Sequence, residues 1–79
     1  MENNKVGLVD EYHQSGQLKE SVIYKNGIKN GYYELFYENG KLKEQGYYKN
    51  DIKDGFFELY DENGDSKEKG IYKNGEIIE

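Results

Sequence analysis

Few side chains in this sequence could do chemistry. His13 is the single histidine and there is no cysteine. A histidine base needs an oriented partner and a nucleophile within reach. The positions 24 and 48 residues further on hold Tyr37 and Asp61, so His13 reads as a solvated surface residue. Carboxylates recur as Glu20, Glu44 and Glu68 and again as Asp10, Glu34 and Glu58. A carboxylate pair roughly 5–9.5 Å apart can cleave a glycosidic bond, but acids recurring at one fixed interval make a ladder, not one site. Asp61-Glu62-Asn63-Gly64-Asp65 has the composition of a calcium loop without its terminal bidentate glutamate. There is no phosphate-cradling glycine loop and no nucleophile elbow. The expectation is a protein without enzymatic activity, metal or cofactor.

The tyrosines carry more. Nine in 79 residues is high, and tyrosine is enriched where proteins bind one another, because it brings contact area at little entropic cost. The variable Tyr32, Tyr33, Tyr37 and Tyr47, with Phe36, are the candidate partner-binding residues. Tyr24, Tyr48 and Tyr72, which recur at one position, are read as core.

These residues are positioned by an internal repeat. Gly7, Gly31 and Gly55 stand 24 residues apart, and three copies, 7–30, 31–54 and 55–78, align without a gap. Residues 1–6 form an N-terminal tail, and 7–79 is one domain. Gly16, Gly40 and Gly64 recur, as do Lys19-Glu20, Lys43-Glu44 and Lys67-Glu68, and the triplets Tyr24-Lys25-Asn26, Tyr48-Lys49-Asn50 and Tyr72-Lys73-Asn74. There is no alanine or proline, and each copy holds two aromatic-rich runs bounded by turn residues. That pattern predicts strands. Asn39-Gly40 and Asn63-Gly64, with Ser15-Gly16 as a weaker version, suit two-residue type I′ turns. Asn26-Gly27 and Asn74-Gly75 mark a second turn, replaced by Asn50-Asp51 in the middle copy. The structural turn glycines are thus Gly16, Gly27, Gly40, Gly64 and Gly75. The predicted fold is all-β, a single-layer antiparallel meander of tandem β-hairpin repeats with about six strands.

A two-residue turn at Asn39-Gly40 sets a register. Tyr37 faces Leu42, Leu35 faces Glu44, and Tyr33 faces Gly46; Phe57 faces Gly70 in the third copy. Tyr12, Phe36 and Tyr60 then pair with Lys19, Lys43 and Lys67 as ring–cation contacts, each worth about 0.5–1 kcal/mol when exposed. The same register sets Glu11 beside Glu20, a clash of like charges. Both faces come out apolar. One carries Val9, Val22, Tyr33, Leu35 and Phe57, the other Leu8, Ile23, Tyr47, Phe56 and Ile71. With no helix to cover either, the sheet must curl, pair with a second copy as a homodimer, or offer a face to a partner. The C-terminal Glu76-Ile77-Ile78-Glu79 is a candidate for strand addition to another chain.

Composition narrows the partner. Eleven cations, all lysine, against sixteen Asp and Glu leave a net charge of −5. That argues against nucleic acid and against an anionic membrane, and favours a basic protein. No apolar stretch reaches the length of a membrane span and residues 1–4 are polar, so a chain complete as written is expected in the cytoplasm.

Tyr37-Glu38-Asn39-Gly40-Lys41-Leu42-Lys43-Glu44 and Gly46-Tyr47-Tyr48-Lys49-Asn50 resemble the variant MORN repeat, over residues 7 to about 75. Bacterial proteins built from it are grouped as YwqK-like antitoxins. The resemblance implies stacked hairpins in one elongated sheet and a protein-binding role, as an antitoxin or immunity protein masking a toxin, with a scaffold at the cell envelope as the alternative. The chain departs from the usual repeat in lacking tryptophan and in carrying Ser66 where the other copies have leucine. On this reading Tyr37→Ala should weaken partner binding with little change in thermal midpoint, measured by titration and by melting; a large drop in midpoint with intact binding would reassign Tyr37 to the scaffold.

Overall fold

The structure, a computed structural model, describes residues 6–79; of the expected tail, positions 1–5 lie outside the described residues. The chain forms one antiparallel sheet. Its strands are β1 (Gly7–Tyr12), β2 (Leu18–Lys25), β3 (Ile28–Phe36), β4 (Leu42–Lys49), β5 (Ile52–Lys53), β6 (Gly55–Tyr60), β7 (Ser66–Lys73) and β8 (Glu76–Ile77). They lie in the order β1-β2-β3-β4-β6-β7-β8, with β5 also on β4. The meander is as expected, with eight strands in place of about six. The surplus has two sources. The strand leading from the second copy into the third is interrupted at Asp54, whose N–H turns to the Tyr47 carbonyl (3.0 Å). The C-terminal residues add the short β8.

The turns differ from the expected assignment. Asn39 and Asn63 do not have positive φ, so neither begins a type I′ turn. The Gly40 N–H bonds the Tyr37 carbonyl (2.9 Å) and the Tyr37 N–H bonds the Lys41 carbonyl (2.9 Å). This is a three-residue loop, a type I turn followed by a left-handed glycine. His13 with Gly16 and Gln17, and Asp61 with Gly64 and Asp65, repeat it. A type I turn has negative φ at both central residues, which is why Ser15 serves where Asn39 and Asn63 stand. The type I′ turns are the other set: Asn26-Gly27 (φ 53°, 83°), Asn50-Asp51 (53°, 71°) and Asn74-Gly75 (54°, 85°). Asp51 stands in for glycine there, and its carboxylate accepts from the Lys29 N–H (2.7 Å).

The longer loop should move every pair by one residue, yet Leu35 opposes Glu44 and Tyr33 opposes Gly46 as expected. A β-bulge restores the register. Phe36 pairs with Leu42, leaving Lys43 as the extra residue, and Tyr12–Leu18 and Tyr60–Ser66 repeat the device. Tyr37 therefore does not face Leu42, and Phe36, Tyr12 and Tyr60 do not pair with the lysines expected. Glu11 does oppose Glu20, but Glu20 turns its carboxylate to Lys29 (3.3 Å).

Between copies the register slips by two. Tyr24 pairs with Lys29, but Val22 pairs with Tyr33; Tyr48 pairs with Lys53, but Gln45 pairs with Glu58. An even slip keeps every side chain on its face. The two faces therefore differ only in cover. Val22, Tyr33 and Phe57 on the first face are the fully buried core. Leu8, Ile23, Tyr47, Phe56 and Ile71 on the second are exposed; we call it the open face.

Rings over glycines hold the first face together. A Cβ on Gly46 would lie 2.9–3.0 Å from the Tyr33 ring and hydroxyl, and one on Gly70 would lie 3.1 Å from Phe57. Each ring also meets a tyrosine: Tyr33 with Tyr48 at 4.9 Å between centroids, Phe57 with Tyr72 at 4.5 Å. Gly46→Ala should therefore cost about 1–3 kcal/mol, read as a lower urea midpoint at unchanged slope. An unchanged midpoint would mean the ring is free to lift off.

Candidate interaction surface

Each inter-copy junction is closed by a lysine on the strand that follows the glutamate's own. Lys29 Nζ lies 3.3 Å from the Glu20 carboxylate and Lys53 Nζ lies 2.8 Å from Glu44. Lys29 also sits over the Tyr48 ring at 5.0 Å, and Lys53 lies 5.4 Å from the rings of both Tyr33 and Tyr72. The Tyr33 hydroxyl donates to the same Glu44 oxygen. Glu44 is thus buried but answered by a cation and a hydroxyl, which is what an interior carboxylate requires.

The expected partner-binding residues fall into separate groups. Tyr33 is 0% exposed and presents no surface; it belongs to the core. Its signal was in the sequence, as an aromatic ring opposite Gly46. Tyr37 is half-buried, donates to the Tyr60 carbonyl (2.8 Å) and carries Lys43 5.6 Å from its ring. It ties one copy to the next, so Tyr37→Ala would disturb the scaffold as well as any surface. His13 does the same from the first copy, with Nε2 3.0 Å from the Phe36 carbonyl, and so is not simply a solvated histidine. Tyr32, Phe36 and Tyr47 share the open face, with Tyr47 48% exposed. Tyr32 and Tyr47 meet edge-on at 5.7 Å. Phe56 and Ile71, which the sequence places on this face without singling them out as partner-binding residues, oppose one another in the same exposed row.

Beside that apolar row runs a polar one. Asp10 opposes Ser21, Ser21 opposes Glu34, Glu34 opposes Gln45, Gln45 opposes Glu58, and Glu58 opposes Lys69. Ser21 donates to Asp10 (2.8 Å), and the Tyr32 hydroxyl lies 2.9 Å from Glu34 and 2.8 Å from Gln45. Gln45 donates to the Tyr60 hydroxyl (2.6 Å), and Ser66 donates to Glu58 (2.7 Å). The hydrogen bond from Ser66 holds the Glu58 carboxyl below its ordinary pKa.

A C-terminal strand offered to another chain is not what the structure places here. Tyr72 opposes Ile77, the Ile78 N–H bonds the Ile71 carbonyl (2.8 Å), and Ile71 bonds Glu79 (3.2 Å). The segment closes part of its own sheet edge. Among the described residues no group of three or more acids and histidines is placed to hold a metal, and no helix is long and apolar enough to cross a membrane.

This stack of linked hairpins matches the profile of the MORN repeat variant at residues 5–26, 29–50 and 53–74. The chain belongs to the MORN repeat variant family. No curated protein and no solved structure matches it. MORN repeats commonly serve as protein-interaction or scaffold modules and are generally non-catalytic.

The junctions give these MORN repeats an alkaline limit. Burial, then the hydrogen bond to Glu34, pushes the Tyr32 hydroxyl up to about 12 from an ordinary 10.0. Burial and Glu44 raise Tyr33 further. Burial opposes the charged form of Lys53, but Glu44 outweighs it and the pKa rises; Glu20 does the same for Lys29. All four groups hold protons more tightly in the folded chain. Their contribution is complete below the unfolded values and is lost as pH climbs through the folded ones. The thermal midpoint should not fall through these groups as pH rises to 10.0, and should then drop towards about 12. Tyr32→Phe should remove part of that drop, and an identical profile in the variant would take Tyr32 out of the linkage.

Proposed function

We propose that this chain acts by binding another protein on its open face, most concretely as an antitoxin- or immunity-type protein that masks a toxin. The observation carrying this reading is the row Leu8, Ile23, Tyr47, Phe56 and Ile71, exposed on a face that no other element among the described residues covers. A contiguous apolar row on a small protein marks an interaction site. Tyr32 opposes Tyr47 in line with it, Phe36 lies on the far side of Glu34, and the tyrosine hydroxyls give the row polar handles. The net charge of −5 favours a basic partner and speeds its approach. The antitoxin assignment rests on the likeness to YwqK-like proteins noted above. A cytoplasmic location belongs to the same proposal.

The second reading is a scaffold or self-assembling module at the envelope, in which a second copy covers the open face as a homodimer. It is favoured by the same uncovered apolar row. The two separate in one experiment: capture by the tagged chain, sedimentation of the chain alone, and growth rescue when chain and captured protein are co-expressed. Masking requires stoichiometric capture of one protein whose toxicity the chain relieves. Phe56→Asp and Tyr47→Asp should weaken that capture more than tenfold, since such buried anchors carry about 2 kcal/mol or more, with the midpoint nearly unchanged. Assembly of the chain alone, abolished by Phe56→Asp, would establish the scaffold reading instead.

A further inference from the structure

The open face also carries information about the shape and charge of what it takes. Asp10, Glu34 and Glu58 occupy one cross-strand row, each separated from the next by a single intervening strand bearing Ser21 or Gln45. Neighbouring strands lie about 4.8 Å apart, so the carboxylates recur at about 10 Å. Their hydrogen bonds come from the neutral Ser21, Tyr32 and Ser66. The ion pairs found among the described residues, Lys29–Glu20 and Lys53–Glu44, stand at the junctions on the other face. Lys69 closes the row opposite Glu58. The exposed apolar row runs parallel to the acids, two residues further along each strand, and beyond it stand Lys25 and Lys49.

A ligand lying along these rows crosses the strands at right angles and meets the same environment every 10 Å or so. An extended polypeptide advances about 3.1–3.3 Å per residue, so three of its residues span one period of the sheet. A polyproline-II segment turns once in three residues, which brings every third side chain to the same side. Tyrosine-lined surfaces suit such segments because the ligand loses little entropy on docking.

We propose that the open face is a docking strip for an extended basic segment of a partner protein, with a lysine or arginine at every third position meeting Asp10, Glu34 and Glu58 and apolar residues between them on the Tyr47–Phe56 row. This rests on the open-face binding reading above and specifies its ligand.

The test uses the whole chain and two labelled peptides of one composition, one with lysine at every third position and apolar residues and proline between, the other with its lysines bunched at one end. Fluorescence anisotropy should show the periodic peptide binding about tenfold more tightly. The double variant Glu34→Gln/Glu58→Gln should cut the periodic peptide's affinity about fivefold or more and lessen its salt dependence. The off-row control Glu62→Gln should leave it unchanged. Both glutamine variants keep an acceptor for Tyr32 and Ser66, and their melting profiles check the fold. Equal affinity for the two peptides, or no effect of the double variant, overturns the proposal. If the aspartate substitutions at Tyr47 and Phe56 still abolish capture of a protein partner, the open face remains a binding surface and only the periodic basic ligand is lost. Self-association of the chain relieved by Phe56→Asp would place a second copy on the strip and overturn the proposal equally.

Discussion

A single-layer sheet has no second layer to bury its side chains, so its core must come from groups lying flat on its own backbone. In this chain that role falls to the Tyr33 ring over Gly46. The ring covers bare main chain, stacks against Tyr48 at 4.9 Å, and sends its hydroxyl to Glu44. Glu44 holds Lys53 from the next strand, β5. One aromatic therefore fixes the pairing inside a hairpin and the docking between hairpins. Phe57 over Gly70 repeats the first half of the device with Tyr72. Val22 supplies the third fully buried side chain among the described residues. Bringing a lysine and a glutamate together at each junction would cost desolvation in a thick core; in this thin sheet the lysines retain partial access to water.

Cover on one face makes the other available. The same rows that are lined by rings and ion pairs on the first side are, one residue out of phase with them, lined by Ile23, Tyr47, Phe56 and Ile71 in contact with solvent. The hydrogen-bonded row through Tyr32, Gln45 and Tyr60 holds those hydroxyls and amides in fixed positions. A surface preset in this way loses little conformational freedom on binding.

Much of this was legible in the residues because both relevant periods are even. Side chains alternate with period two and the copies recur at 24 residues, so each position keeps its face from one copy to the next. The ring over Gly46 followed from counting pairs across the turn. The loop type did not, although its signature was present. Within this loop only one position, Gly16, Gly40 and Gly64, is glycine in all copies, as a type I turn with a trailing left-handed residue requires; a type I′ turn demands positive φ at both central residues, as at Asn26-Gly27. The bulge at Lys43 cancelled the loop's extra residue, so the register survived the wrong turn. Alternation could not say which face would be covered, and so Tyr33 was grouped with Tyr32. The break at Asp54 depends on backbone bonding across the junction, which no side-chain pattern encodes.

The meander also fixes how the chain carries load. β1 lies at one edge of the sheet, and β7 with β8 closes the other. Tension between the ends therefore acts across the strands and not along them. Hydrogen bonds in such a geometry are not sheared together; they open pair by pair, as a zip does. The array would yield at low force, hairpin by hairpin from its margins, and lengthen in increments set by the 24-residue period. Mechanically it is a compliant element, one that gives way gradually where a sandwich of the same size would resist and then fail at once.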